Sequence, residues 1–310
     1  MMRKNILITG AGGFVGRNLH EYLGSKYSTF AAVRKELNLL NEDEVAGYIQ
    51  KNEIHCIIHC ANVGGSRKNQ SDGGNISVLS DNLRMFHNLV KCLRSDMHMI
   101  YFGSGAEYDK SRNLTKIKEI DFGIRVPKDE YGFSKYVMSK CAEKQNNITC
   151  LRIFGLYGRY EDYTYKFISN AILKNIIGMP IRINQNVIFD YLYINDLLDI
   201  VEKFIDNPPE NGALNVTPTN SIDLVSIANM INEISQKPNR IDVVNEGLNY
   251  EYTGDNSFLV GELKNFRFTS YYEGINELFR YYMAVIDTID RRIIQEDPYI
   301  KVCGTRVQSM

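Results

Sequence analysis

A doubly wound α/β fold built on a parallel sheet is the architecture this sequence predicts, and three observations point to it. A short apolar strand, Ile6–Thr9, runs directly into a glycine-rich turn and then a helix. Strand and helix patterns go on alternating through the first half of the chain. Finally, 310 residues with 44% hydrophobic content can bury a large core, as one α/β domain or as a domain with a smaller C-terminal lobe.

In chain order, the turn after the first strand reads Thr9-Gly10-Ala11-Gly12-Gly13-Phe14-Val15-Gly16. Gly10 permits a tight turn, Gly13 lets the backbone approach a pyrophosphate, and Gly16 allows the helix Phe14–Leu23 to lie close on the strand. Phosphate oxygens would meet unpaired helix N–H groups there, although such a turn can also exist without a ligand. Further strands are predicted at Thr29–Val33, Cys56–Cys60, Met97–Gly103 and Thr149–Phe154, with helices Glu42–Lys51, Val78–Arg94 and Tyr131–Lys144 between them. Beyond these, Tyr165–Asn175 reads as a helix, Val187–Tyr193 as a strand, Asp196–Ile205 as a helix and Ala213–Val216 as a strand, with Pro208-Pro209 marking the last turn. Ser221–Ser235 opens on a serine cap and keeps helical spacing, as does Glu273–Tyr282. The tail after Asp287 reads as an extra helix or a loosely held extension.

Composition narrows the function. Lys plus Arg total 36 against 37 Asp plus Glu, so there is no global basic field for nucleic acid, and any phosphate binding must be local. The six cysteines (Cys56, Cys60, Cys92, Cys141, Cys150, Cys303) show no C-x-x-C pair and no framework spacing, which predicts reduced thiols in a cytoplasmic protein and no metal site. Strand-like residues begin at Asn5, leaving no room for a signal peptide, and no run approaches the roughly 20 apolar residues of a membrane span.

Tyr131 and Lys135 stand four residues apart on a predicted helix and so share one face. A lysine ammonium below a phenol stabilises its anion, and moving a phenol from a pKa of about 10 toward neutrality requires roughly 4 kcal/mol of differential stabilisation. Ser104 is the candidate for the accompanying hydroxyl. The same Tyr-x-x-x-Lys spacing also fits a solvated helix face, so the pair gains meaning from the glycine turn upstream.

With these motifs in place, the chain resembles the extended short-chain dehydrogenase/reductases that act on nucleotide sugars. The resemblance spans roughly residues 5 to 285 and rests, in order, on Thr9–Gly16, Ile58-His59-Cys60-Ala61, Asp81-Asn82-Leu83, Ser104 before Tyr108, Tyr131/Lys135, Arg152–Gly158, Asp190–Asp196 and Asn215-Val216. Arg34–Asn41 and Asn62-Val63-Gly64-Gly65 are most similar to the GDP-fucose synthase group. The resemblance implies a Rossmann domain over residues 1–165 that also receives 187–217, a substrate lobe from 166–186 and 218–285, and an extension over 286–310. It implies cofactor contacts from Gly10, Gly13, Phe14, Val15, Gly16, Arg34, Leu40, Cys60, Ala61, Tyr131 and Lys135. Substrate contacts are implied for Val63, Gly64, Gly105, Lys166, Lys174 and Arg182, with Lys174 foremost for the sugar diphosphate.

Val33-Arg34-Lys35 replaces the carboxylate that would accept from an NAD ribose, and a guanidinium there suits the 2′-phosphate of NADP(H) over NAD(H). Gly105-Ala106 after Ser104 lack the Asp-Glu pair of the family's dehydratases, and Ala106 and Lys166 stand where GDP-fucose synthases carry a cysteine and a histidine for epimerisation. Glu107 is an unusual charge for its position, open to a structural or a catalytic role. Gly155 and Phe189 replace a substrate-contacting asparagine and an arginine. The expectation is NADPH-dependent reduction of a 4-keto nucleotide-activated sugar (GDP-, dTDP- or CDP-linked) in bacterial polysaccharide biosynthesis, with Ser104, Tyr131 and Lys135 catalytic. The alternatives are an NAD-dependent nucleotide-sugar 4-epimerase and a non-catalytic dinucleotide sensor. A homodimer through the helices Val78–Arg94 and Tyr131–Lys144 is also expected, Met85, Phe86, Val137 and Met138 serving as core or interface.

Overall fold

The structure, a computed structural model, describes residues 3–64 and 77–305. In chain order the elements are β1 (Asn5–Thr9), α1 (Phe14–Leu23), β2 (Ser28–Ala32), α2 (Glu42–Lys51), β3 (Cys56–His59), α3 (Val78–Lys91), β4 (His98–Ser104), β5 (Leu114–Ile117), α4 (Glu130–Ala142), β6 (Ile148–Ile153), β7 (Gly155–Tyr157) and α5 (Phe167–Ile176). They continue with β8 (Ile181–Asn186), β9 (Ile188–Phe189), β10 (Tyr191–Tyr193), α6 (Ile194–Asp206), β11 (Ala213–Val216), β12 (Ile222–Asp223), α7 (Leu224–Ser235), β13 (Ile241–Leu248), β14 (Tyr252–Gly254), α8 (Ser257–Leu263), α9 (Tyr271–Val285), α10 (Arg291–Glu296) and α11 (Pro298–Lys301).

Six strands form the main sheet in the order β11-β6-β4-β3-β1-β2, every neighbouring pair parallel. The chain winds outward from β1 to β2 on one side and from β3 through β4, β6 and β11 on the other, so the direction reverses between β1 and β3. A ligand crevice opens at the carboxyl ends of strands flanking such a switch point. Side-chain alternation splits the core between the two faces: Ile6, Ile8, Ile58, Ile100 and Leu151 belong to one buried cluster, and Leu7, Ile57, Met99 and Tyr101 to the other. Covered on both faces, these strands read as continuous apolar runs in the sequence. Met85, Phe86 and Met138, weighed above as core or interface, lie in the second cluster, and Val137 is half-buried.

Several expected boundaries change for physical reasons. The single strand Val187–Tyr193 is broken at Asp190, whose fully buried carboxylate accepts from Ser221 Oγ at 2.5 Å and Gly254 N at 2.9 Å. The two flanking pieces join different sheets, β9 with β12 and β14, and β10 with β7. Because Ser221 is engaged with Asp190, the helix after it starts three residues later on Asp223, which accepts from Val225 N and Ser226 N. Two strands not anticipated, β8 and β13, pair in parallel as a separate small sheet. Their residues IRINQN and IDVVNEGL carry too much polarity to stand out.

The described part of the tail, through residue 305, forms two short packed helices in place of a single helix or a loose extension. α10 and α11 bury Ile294 and Tyr299, Tyr299 packing on Phe167 with ring centroids 5.8 Å apart. Asp297, between the two helices with φ +50°, reaches Lys174 Nζ of α5 at 2.7 Å.

Candidate active site

The turn between β1 and α1 is built by contact. Gly10 has φ +65°, and a Cβ there would fall 2.7 Å from Ala61 N, so the backbone after β3 lies against it. At Gly16 a Cβ would come within 2.5 Å of Gly10 O, so any side chain would push α1 off the turn. Gly13 caps α1 without a side chain, leaving the N–H groups of the first helical turn facing the opening. A cleft of about 340 Å³ forms there, lined by Gly10, Gly13, Phe14, Val15, Gly16, Cys60, Asn62, Gly64, Tyr131 and Lys166. A phosphate-bearing dinucleotide fits this cradle of backbone donors.

The remaining sequence-predicted residues fall around the cleft in different ways. Arg34 follows β2 with its side chain exposed and no ion pair among the described residues. Leu40, Ala61 and Val63 are half-buried against the second core cluster and do not line the cleft. Val63 is clamped by Asn82, which accepts from Val63 N and donates to Val63 O, each at 2.8 Å. Gly65 lies outside the described residues. Among the cations, Lys166 is exposed and lines the cleft, whereas Lys174 is only 1% exposed and is paired with Asp297. Arg182 stands 3.9 Å from that same carboxylate. Burial lowers the Lys174 pKa, and Asp297 opposes the fall. The expectation of Lys174 as the foremost free cation therefore changes: its charge already has a partner.

Ser104 ends β4 and is buried. Its hydroxyl accepts from Ala106 N at 3.2 Å, while Glu107 Oε1 accepts from Ser104 N at 2.8 Å, a reciprocal cap on the short 3₁₀ turn that follows. The second oxygen of Glu107 accepts from Arg152 Nε at 2.7 Å, with both side chains essentially inaccessible. Glu107 is thus the structural carboxylate of the two readings weighed above. Arg152 also stacks 4.0 Å from the Phe122 ring centroid.

Tyr131 opens α4, which Asp129 caps by accepting from Gly132 N at 3.0 Å. Lys135, one turn on, is buried, and its Nζ donates to Phe102 O at 2.8 Å and lies 5.9 Å from the Tyr131 ring centroid. Burial pushes the Tyr131 phenol up to about 12; hydrogen bonding to Ser104 opposes the rise, and Glu107 and Asp129 add to it. The expected drop toward neutrality is not found. Lys135 is turned toward a carbonyl, and burial lowers its own pKa to about 8 against the pull of Glu107. Burial thus favours the protonated phenol of Tyr131 and works against the charge on Lys135.

This gives a pH dependence with a definite sign. A lysine whose pKa falls from 10.5 to about 8 is charged below that value and loses its charge as pH rises through it. Because kcat/KM reports groups of the free enzyme, it is expected to be flat below about pH 8 and to fall above it. A pH–rate profile checks this, and a flat profile to pH 10 would detach Lys135 from turnover.

Sequence reasoning missed one aromatic residue of this site. Tyr252 of β14 brings its phenol over Gly105, where a Cβ would meet Tyr252 Oη at 2.7 Å and Phe154 Cδ1 at 2.6 Å. Nothing in the local pattern NYEYTG signals the contact, since the pairing of β14 with β5 and β9 creates it.

Comparison with known proteins agrees with this geometry. Residues 6–217 match the NAD dependent epimerase/dehydratase family. The ADP-L-glycero-D-manno-heptose-6-epimerase of Brachyspira hyodysenteriae is 24% identical over 263 residues, covering 74% of this chain and 80% of the relative. The GDP-6-deoxy-D-talose 4-dehydrogenase of Aggregatibacter actinomycetemcomitans is 24% identical over 291 residues, covering 89% and 97%. Among solved structures, a GDP-mannoheptose C4 reductase from Campylobacter jejuni with NADP bound superposes with a TM-score of 0.76 at 17% identity, covering 91% of this chain and 99% of that one. A nucleotide-cradling glycine turn, a Ser/Tyr/Lys constellation and a match over two thirds of the sequence lead to one conclusion: this chain belongs to the NAD dependent epimerase/dehydratase family.

Proposed function

We propose that the protein reduces a 4-keto nucleotide-activated sugar with NADPH. NADPH, when bound, supplies the hydride to the ketone carbon. Tyr131 donates the proton to the developing alkoxide, Ser104 hydrogen-bonds the same oxygen, and the Lys135 cation stabilises the negative charge on that side. Burial holds Tyr131 in its acid form, which suits this direction of proton transfer. Lys166 is the cation we assign to the sugar diphosphate, since it is exposed at the cleft and Lys174 is not. Of the other expected substrate contacts, Gly64 lines the same cleft as Lys166, whereas Val63 and Gly105 do not line it.

The observation that carries net reduction is Arg34, an exposed guanidinium just after the strand that borders the glycine turn. It matches a 2′-phosphate bidentately, and a cofactor that carries that phosphate commonly arrives reduced and leaves oxidised. Support comes also from the solved C4 reductase, which holds NADP, and from the curated 4-dehydrogenase, whose name places its chemistry at the same carbon. Arg34→Ala is expected to raise KM for NADPH at least tenfold and to leave KM for NADH within about twofold, one charge-assisted bidentate pair being worth about 1.5–3 kcal/mol. Equal weakening of both cofactors would remove the phosphate assignment.

A second reading, an NAD-dependent nucleotide-sugar 4-epimerase, keeps one specific support: it needs no residues beyond Ser104, Tyr131 and Lys135, and a curated relative is named as an epimerase. A non-catalytic sensor gains no support from a chain that retains all three. The deciding experiment mixes the protein and NADPH with freshly generated GDP-, dTDP-, CDP- and UDP-4-keto sugars and follows nicotinamide absorbance. Stoichiometric loss of NADPH establishes the reductase. Absence of net oxidation, with NAD released on denaturing the protein, establishes the epimerase instead. Packing of α3 and α4 of two copies is the dimer we expect, and sedimentation tests it.

A further inference from the structure

Lys135 is a cation that no carboxylate balances. It is 5% exposed, and among the described residues it forms no ion pair. Glu107, whose charge pulls on it, is already shared between Arg152 Nε at 2.7 Å and Ser104 N at 2.8 Å. An ammonium carries three N–H donors, and burying it is costly unless electron density faces them. One donor reaches Phe102 O at 2.8 Å. A second support comes from the preceding residue of the same strand: Lys135 Nζ lies over the Tyr101 ring, 4.9 Å from its centroid, within the reach of a cation on an aromatic face. The Tyr131 ring is farther away, at 5.9 Å.

We infer that Tyr101 is a positioning residue whose ring face holds the Lys135 ammonium against the Phe102 carbonyl and so keeps an unpaired, buried cation beside Tyr131. The ring is well placed for this. It is fully buried, meets Phe86 of α3 edge-on with centroids 5.2 Å apart, and stacks with His59 of β3 at 6.3 Å. Sheet register sets His59 on one side of Tyr101 and Cys150 of β6 on the other. Neither neighbour supplies a competing charge. His59 bonds Thr9 Oγ1 at 2.9 Å, and burial lowers its pKa to about 3, so its imidazole is neutral. Burial likewise raises the Cys60 and Cys150 thiols and keeps them protonated. Lys110, 5.9 Å from the Tyr131 ring, is paired with Asp129 at 3.2 Å. Tyr101 acts through Lys135, and no bond is made or broken at it.

The inference rests on Lys135 serving the site, as the reductase and epimerase readings both require, so the ammonium itself is titrated and turnover is read separately. Lysine labelled with carbon-13 at the ε-carbon gives a signal for Lys135, assigned by its loss in Lys135→Met. Tyr101→Phe keeps the aromatic face and is expected to titrate as the parent does, near pH 8. Tyr101→Leu removes the face and is expected to raise the acid dissociation constant of Lys135 about tenfold, one pH unit downward. A second variant preserves the shape: the Tyr101→Phe ring carrying three fluorines, introduced by nonsense suppression, has nearly the same outline but a drained negative face, and should shift the constant the same way by about threefold or more. A constant within twofold of the parent in both the leucine and the fluorinated variants would overturn the inference, as would an equal tenfold shift in Tyr101→Phe. The basic limb of kcat/KM, measured on NADPH oxidation by 4-keto sugars or on interconversion of 4-epimers, should move with the ammonium. A limb that stays in place while the ammonium shifts upholds the contact and overturns the role given to Lys135 in turnover.

Discussion

Tyr131→Phe is expected to bind NADPH as the parent does and to turn over between a hundredfold and ten-thousandfold more slowly. The substitution removes one oxygen and leaves the ring, so the α4 backbone and the cleft wall it contributes to are unaffected. What disappears is the phenolic proton that the proposed mechanism hands to the carbonyl oxygen. Positioned acids of this kind contribute about 10²–10⁴ in rate. The residual rate reflects hydride delivery with water as the acid. Steady-state kinetics and cofactor titration of the same preparation separate the two effects, and a variant within threefold of the parent kcat would mean that another group supplies the proton.

The largest expected effect on stability lies just beneath. Glu107→Ala leaves the Arg152 guanidinium, 1% exposed, without its carboxylate and removes the cap on Ser104 N. Breaking a buried pair from one side costs about 3–5 kcal/mol, because the orphaned charge cannot reach water. Chemical denaturation should show that loss, with a fall in Tm of the order of 10 °C. Stacking on Phe122 returns only a fraction of it. Arg152→Met in the Glu107→Ala background should recover a large part, since removing both charges removes the penalty. Loss below about 1 kcal/mol in the single variant would show that Arg152 finds a different acceptor.

What could be foreseen from the sequence divides along the range of the interactions involved. The glycine turn, the alternation of strands and helices and the shared helix face of Tyr131 and Lys135 follow from local spacing, and helices such as Phe14–Leu23 and Glu42–Lys51 have the bounds that their periodicity predicts. The misses are all long-range. Tyr252 covers Gly105 only because β14 pairs with strands far away in sequence. Lys174 carried the marks of a phosphate ligand until Asp297 met it. The Tyr131 phenol was expected to be acidified by a cation one turn away, and burial outweighed that cation. β8 and β13 hold each other as a pair, which neither segment shows alone.

The partnership of Lys174 with Asp297 also imposes an order on synthesis. Chains emerge from the ribosome amino end first, and early segments begin to fold while later ones are still being made. The sheet from β1 to β11 and the turn that carries Ser104 are complete well before Asp297 exists. α5 must therefore wait, with an ammonium it cannot bury, until α10 and α11 arrive and close over it. The half of the protein that cradles the dinucleotide can form during translation, and the lobe containing α5 is finished only once Asp297 has emerged.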